Sequence, residues 1–283
     1  MTESATTTST TPDADAIDES LGARYGDAAP DTIESVNDVI ALQLRHRSVR
    51  QFTSEDVSDD AVTAIIAAAQ SASTSSNMQS WSVIEIRDPE RKSAASELAG
   101  DQEFIRQAPV FLVFIADWAR NRAIAKHHDQ PDAGIDYLES TLVSFVDAGV
   151  AAQNAAIAAE SLGLGITYVG SVRNNPIALS ELLELPAGAF PVAGMAIGHP
   201  HPDDAARVKP RLPQDIVRHR ETYTTPADSA IDAYDDALSA YYASQGSARP
   251  WSPTVLARVR DEASLRGRHV MREALEQRGL PSK

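Results

Sequence analysis

Cysteine is absent from the 283-residue chain, which excludes disulfides, iron–sulfur ligation, a thiolate nucleophile and cysteine-based zinc sites together. Lysine is scarce, occurring only at Lys92, Lys126, Lys209 and Lys283. No unbroken apolar run of about 18 residues occurs, so a membrane span is not expected. No basic residue precedes Arg24 and no apolar stretch follows the first methionine, so the N-terminus does not read as a secretion signal. Cationic charge is short overall: 25 Lys and Arg stand against 40 Asp and Glu, a formal net charge of -15 and a pI of about 4.8. Such a chain repels polyanions unless it carries a local basic site, so neither nucleic acid nor an anionic membrane is an expected partner. These absences together read as a soluble, cytoplasmic protein.

What is present is enough apolar residue, 43%, to bury a full core in one or two domains. Residues 1–30 are rich in Thr, Ser, Ala, Asp and Pro and predict a disordered tail. From residue 31 the pattern becomes periodic. Ile33, Val36, Ile40 and Leu44 recur at helical spacing, and Ser48 to Phe52 reads as extended. Ser58, with Asp59 and Asp60 after it, caps a helix carrying Val62, Ile65 and Ile66. Residues 71–80 form a polar loop, followed by a strand at 81–86. Asp88 and Pro89 open a helix that stops at Gly100. Residues 109–115, continuously apolar, read as a strand covered on both faces. A long Ala-rich helix is expected from about Tyr137 to Leu162, then strands at 166–170 and 191–198 with a helix from Asn175-Pro176 through Leu185 between them. Beyond Pro213 only helices are expected, over 228–244 and 253–278. There is no clean strand–helix–strand series with a phosphate loop. The expected fold is therefore α+β, a mostly antiparallel central sheet sandwiched by helices over 31–213, with a C-terminal helical extension over 214–283.

Several motifs resolve to ordinary structure. Gly163-Leu164-Gly165 ends a helix and leads into a strand, the reverse of a dinucleotide fingerprint, and so reads as a helix C-cap. His127-His128-Asp129 side chains diverge, and His199-Pro200-His201-Pro202 reads as a solvated turn, so no metal site is expected. The loop Ser71–Ser76 lacks a Gly-x-Ser-x-Gly elbow; a flexible linker and a set of donors for an anion or polyol both fit it. Two basic clusters are more informative in so acidic a chain. Arg45-His46-Arg47-Ser48-Val49-Arg50 joins a helix end to an extended segment, and its arginine forks suit a phosphate. A helix C-terminus decorated with cations explains it equally well. Lys209-Pro210-Arg211-Leu212-Pro213 places two scarce cations on a proline-stiffened segment, which favours preorganisation.

Taken in order, these pieces resemble the oxygen-insensitive nitroreductase and flavin reductase family, specifically its larger, NADPH-preferring group. The resemblance covers about residues 35–280. It rests on His46 to Thr53, the serine-rich loop ending in Gln79, Gly100-Asp101-Gln102, Ala152 to Ala155, Glu160 to Gly165, Tyr168 to Asn175, Lys209 to Pro213 and Trp251-Ser252. It implies a homodimer with one non-covalent FMN at each of two interfacial sites and NADPH or NADH as electron donor. The family's ping-pong, two-electron chemistry reduces nitroaromatics, quinones or related acceptors and needs no catalytic side chain. Carried over, Arg47, Ser48, Lys209 and Arg211 would hold the phosphate, beside His46 and Val49. Arg50 would sit near the electron-accepting edge of the flavin. Thr74 and Ser75 would reach the ribityl-phosphate region from the partner subunit. Gln102 would bond the pyrimidine ring, and the backbone of Tyr168, Val169, Gly170 and Ser171 would face the ring system.

Two positions depart from the family pattern. After Tyr241-Tyr242 the family's NADPH-binding arginine is replaced by Gln245, which cannot neutralise a 2′-phosphate; nearby Arg249 could substitute. Ser171 stands where glycine is commoner. NADPH and NADH both remain open as donor. A reductase of free FMN, and a non-catalytic flavin-binding module, are the alternatives to a nitroreductase.

Overall fold

The computed structural model describes residues 13–30 and 33–283. In chain order the elements begin with α1 (Ala14–Tyr25), α2 (Asp38–Leu44), α3 (Asp59–Gln70), β1 (Trp81–Ile86), α4 (Pro89–Leu98), α5 (Glu103–Gln107) and β2 (Val110–Asp117). They continue with α6 (Ala119–His127), α7 (Leu138–Ser161), β3 (Gly165–Val169), α8 (Pro176–Leu182) and β4 (Ala189–Gly198). The chain closes with α9 (Gln214–Val217), α10 (Asp228–Ala243), α11 (Trp251–Val259) and α12 (Met271–Gln277). The chain folds as two compact units, one from the described part of Met1–Arg47 with Ala205–Arg260, the other from Ser48–Asp204 with Asp261–Lys283.

The second unit holds the sheet, antiparallel throughout in the order β1-β2-β4-β3. The expected α+β sandwich is what forms. In β2, Val110, Leu112, Phe114 and Ala116 face one core while Phe111, Val113 and Ile115 face the other, so both faces are buried as an unbroken apolar run requires. On the first face α3 and α7 pack through Ile65, Ala69 and the small residues Ala148, Ala151, Ala152, Ala155 and Ala159. On the second face Ala95, Ala99, Ile105, Leu179 and Leu183 of α4, α5, α8 and their ends complete the core. The caps follow the sequence signals: Ser58, Asp88 and Asn175 side chains accept from Ala61, Arg91 and Ala178 N–H groups, satisfying donors that a helix start leaves open.

The structure corrects two expectations, for the N-terminal stretch and for the C-terminal helix. Residues 1–12 of the expected tail lie outside the described residues, but Ala14–Tyr25 is a capped helix that buries Ile17 and Leu21 against Ala41. Its few apolar residues recur four apart, and a sparse stripe suffices once a partner helix supplies the rest. Helix α7 is, among the described residues, long and apolar enough to cross a membrane by length and composition, although no unbroken apolar run marks it; its alanine face is spent on the sheet. The single helix expected over 253–278 is broken between α11 and α12, because Arg266 and Gly267 adopt left-handed conformations. A Cβ on Gly267 would stand 2.8 Å from the Asn174 carbonyl oxygen, so the break is held by close approach to the sheet unit's own loop.

Candidate functional site

In the first unit the two basic clusters meet through a buried residue that composition assigned to the tail. Arg24 closes α1 and is only 6% exposed. Its guanidinium donates to the carbonyls of Leu44 at 3.1 Å, Gln43 at 3.4 Å and His46 at 2.7 Å, and also to that of Lys209 at 3.1 Å. Its own carbonyl accepts from the Arg211 N–H at 2.7 Å. A planar fork of five donors can bind several carbonyls at once, and a cation at the end of α2 also meets the negative end of that helix. On the other side of the second cluster, the Tyr234 hydroxyl donates to the Pro210 carbonyl at 3.0 Å. Tyr234 is itself packed edge-on against Trp251, and burial raises its phenol pKa. The backbone of Lys209, Pro210 and Arg211 is thus tied on both sides, while Arg47 and Arg211 are exposed at their surface. Arg211 also borders an apolar cavity of about 620 Å³ with Tyr25, Leu212, Tyr234 and Trp251.

Lys209 carries a second association. Its Nζ lies 5.3 Å from the centre of the Tyr242 ring, and the Arg249 guanidinium lies 5.9 Å from the same ring. Both are cation–π distances. Gln245 follows on an exposed turn, its N–H bonded to the Tyr242 carbonyl. Arg249 therefore brings a cation to the tyrosine pair even though Gln245 is neutral.

In the second unit, Ser48 pairs in parallel with Ile166 of β3, and the Val49 N–H donates to the Ile166 carbonyl at 2.9 Å. Gly165 makes this possible, since a Cβ there would fall 2.7 Å from the Val49 side chain. The side chains of Val49 and Val169 are buried in the core. Arg50 is exposed, with one long bond of 3.4 Å to the Ser48 carbonyl. Following β3, Gly170 is exposed; a Cβ there would meet nothing nearer than the Arg173 guanidinium at 3.7 Å. Arg173 itself donates to the Val192 carbonyl, and burial lowers its pKa, so its charge belongs to the fold. The Tyr168 hydroxyl lies 3.4 Å from Gln153, and its pKa is raised by burial and then by Glu160.

Asn174 joins three matched pieces within this unit. Its side-chain oxygen accepts from Arg268 Nε at 2.9 Å, and its amide nitrogen would lie 3.3 Å from a Cβ on Gly100. Gly100 in turn accepts from the Gln102 side chain at 2.9 Å. Gln102, the Gly170–Asn174 turn and Arg268 are therefore neighbours. Arg268 is not among the sequence-derived site residues, and the break at Gly267 is what delivers it here.

The serine-rich loop is strained and anchored. Ser76, Asn77 and Gln79 all have positive φ, a conformation costly for residues other than glycine and concentrated at functional loops. Buried Asp147 of α7 holds the loop, accepting from the Ser75 N–H and the Ser80 hydroxyl, each at 3.1 Å. Thr74 accepts from the Gln79 N–H at 2.9 Å, closing the loop on itself. Beside it, Thr74, Asn77, Gln79, Trp81 and Arg120 line a cavity of about 270 Å³. Asp147 was not legible as part of the site; an acidic residue amid small apolar ones on a core helix was its only signal.

The first unit thus carries exposed arginines on clamped backbone, and the second carries an exposed turn at Gly170 and a strained hydroxyl-rich loop. The chain matches the models described as Nitroreductase family over residues 44–199 and as Nitroreductase family, C-terminal domain, over residues 209–283. It belongs to the nitroreductase family and is an oxidoreductase. It is 49% identical over 209 residues to an FMN reductase (NAD(P)H) of Bacillus subtilis, covering 73% of this chain and 83% of the relative. The structure of NfrA2 from B. megaterium matches with a TM-score of 0.83 at 41% identity, covering 88% of this chain and 100% of that one. The NADPH:FMN oxidoreductase of Vibrio harveyi, solved with NAD+, matches with a TM-score of 0.79 at 36% identity, covering 87% and 100%.

Proposed function

We propose that this protein is an FMN-dependent NAD(P)H oxidoreductase that reduces nitroaromatics, quinones or related acceptors two electrons at a time. The observation that carries the reading is the pair of basic clusters tied to one another by Arg24, in a chain of net charge -15. Arg47, Lys209 and Arg211 are assigned to the FMN phosphate, with the hydroxyl of Ser48, the residue after Arg47. Arg50 is assigned to the electron-accepting edge of the ring, Gln102 to its pyrimidine side, and the Tyr168–Ser171 backbone to the ring itself. The residues fit the group: the donor set is cationic, with Arg47 and Arg211 exposed and Lys209 and Ser48 half-buried, and a Cβ on Gly170 would meet only the Arg173 guanidinium, at 3.7 Å. When bound, FMN supplies the hydride-accepting and electron-donating chemistry. The chain's own part is to bind the phosphate, orient the ring and place cationic charge where negative charge develops.

A homodimer is part of this reading. Leu138, Leu142, Val146 and Val150 recur every four residues along α7 and are all exposed, an apolar stripe suited to a second copy. Asp147 of the same helix holds the serine-rich loop, and Thr74 and Ser75 are assigned to the partner subunit's flavin. A cytoplasmic location accords with dependence on nicotinamide nucleotides.

Purified protein should be yellow, should release FMN on denaturation, and should bleach anaerobically with NADPH or NADH. A colourless protein that fails to bind added FMN would overturn the assignment. A reductase whose acceptor is free FMN is the second reading, favoured by the open turn at Gly170; relative turnover with free FMN and with a nitrofuran separates the two. Bound flavin that neither nucleotide bleaches would instead mean a non-catalytic flavin-binding module.

A further inference from the structure

We infer that Arg24 is a positioning residue for flavin phosphate, an inference that rests on the assignment of Arg47, Lys209 and Arg211 as phosphate ligands. The N-terminal helix that carries it precedes the segment matched to the family, residues 44–199. Two strings of like charge repel, and in an acidic protein their side chains have many competing carboxylates. Holding the strings side by side before a dianion arrives therefore needs a rigid tie. Arg24 supplies it. One guanidinium takes the carbonyls of Leu44 and His46, which lead into Arg47, and the carbonyl of Lys209. The Arg24 carbonyl takes the N–H of Arg211. Buried to 6% exposure, with its fork committed to these carbonyls, Arg24 sets the spacing of the exposed cations rather than offering itself to the ligand. Preorganisation of this kind lowers the ordering cost paid on binding.

The tie predicts a loss specific to phosphate. Arg24→Met and Arg24→Lys are compared with the parent as full-length proteins stripped of flavin, titrated with FMN and with riboflavin by fluorescence quenching. Riboflavin presents the same ring without the phosphate. The expected result is an FMN Kd raised about tenfold or more, the scale of a charged hydrogen bond, with the riboflavin Kd changed less than about twofold, so that the FMN-to-riboflavin preference falls in both variants. Equal losses for the two flavins, meaning general destabilisation, would overturn the proposal, as would an unchanged FMN Kd. Should Arg24→Met not fold, Arg24→Lys carries the comparison: it keeps a buried cation, but its single nitrogen cannot reach the Leu44, His46 and Lys209 carbonyls together. A parent that shows no preference for FMN over riboflavin would refute the phosphate assignment itself, a failure visible before any variant is made.

Discussion

Arg47, Arg50 and Arg211 lie at the surface, whereas Arg24 and Arg173 spend their forks on backbone carbonyls. The division separates exposed charge from structural charge. Truncating Arg47 or Arg211 to alanine should weaken FMN retention by about 1.5–3 kcal/mol each, the loss of a hydrogen bond to a charged group; equilibrium dialysis of the two variants checks it. Tyr234→Phe removes the donor on Pro210, and a fall in unfolding free energy of about 1 kcal/mol is expected in a denaturant melt. Arg249 and Lys209 each lie within cation–π distance of the Tyr242 ring, so Arg249→Ala should lower kcat/KM for NADPH about tenfold relative to NADH, the scale of one charge-assisted contact. Equal effects on the two nucleotides would remove Arg249 from 2′-phosphate recognition. The exposed cations were legible in the sequence because scarcity made them conspicuous. Arg24 was not, since a buried arginine in a Ser- and Asp-rich stretch looks like one more polar residue until its carbonyl partners arrive from 19 or more positions away.

Elements whose ends carry their own chemistry could be read directly: Ser58, Asp88-Pro89 and Asn175-Pro176 each start a helix where expected. Gly163 and Gly165 looked alike in sequence, yet they act differently. Gly163, at positive φ, ends α7, while Gly165 admits Val49 against β3. Gly165→Ala should therefore destabilise by about 1–3 kcal/mol through overpacking and should reduce flavin occupancy with it, measurable by thermal melting and by absorbance of the purified protein. A pH effect belongs to the turn before α7. Asp136 accepts from Arg122 and from Lys283, and both hold its carboxyl below the ordinary range. A depressed folded value means that the contribution is present above the ordinary carboxylate pKa of about 3.9 and fades as pH falls through the lower folded value. Asp136→Asn should accordingly lower Tm at neutral pH, and the gap from the parent should close in acid. A gap independent of pH would show that the ion pairs contribute nothing there.

For the whole molecule the open question is association. Val146 is 62% exposed in the middle of the α7 stripe, and Val146→Glu should convert a dimer into a monomer on size exclusion and release FMN; a dimer that survives the substitution would move the interface elsewhere. The antiparallel sandwich was legible from β2 and the alanine face of α7, because burial on both sides leaves a pattern in the residues themselves. By itself the sequence determined the class of fold, the caps, and which cations were available to a phosphate, since these depend on local chemistry and on charge. Only the tertiary structure decided that Ala14–Tyr25 is a helix, that Arg24 ties the two basic clusters, that Asp147 anchors the serine-rich loop and that Arg268 reaches Asn174. The last three are hydrogen bonds between residues far apart in the chain, and no periodicity or composition records which distant carbonyl or amide a side chain will find.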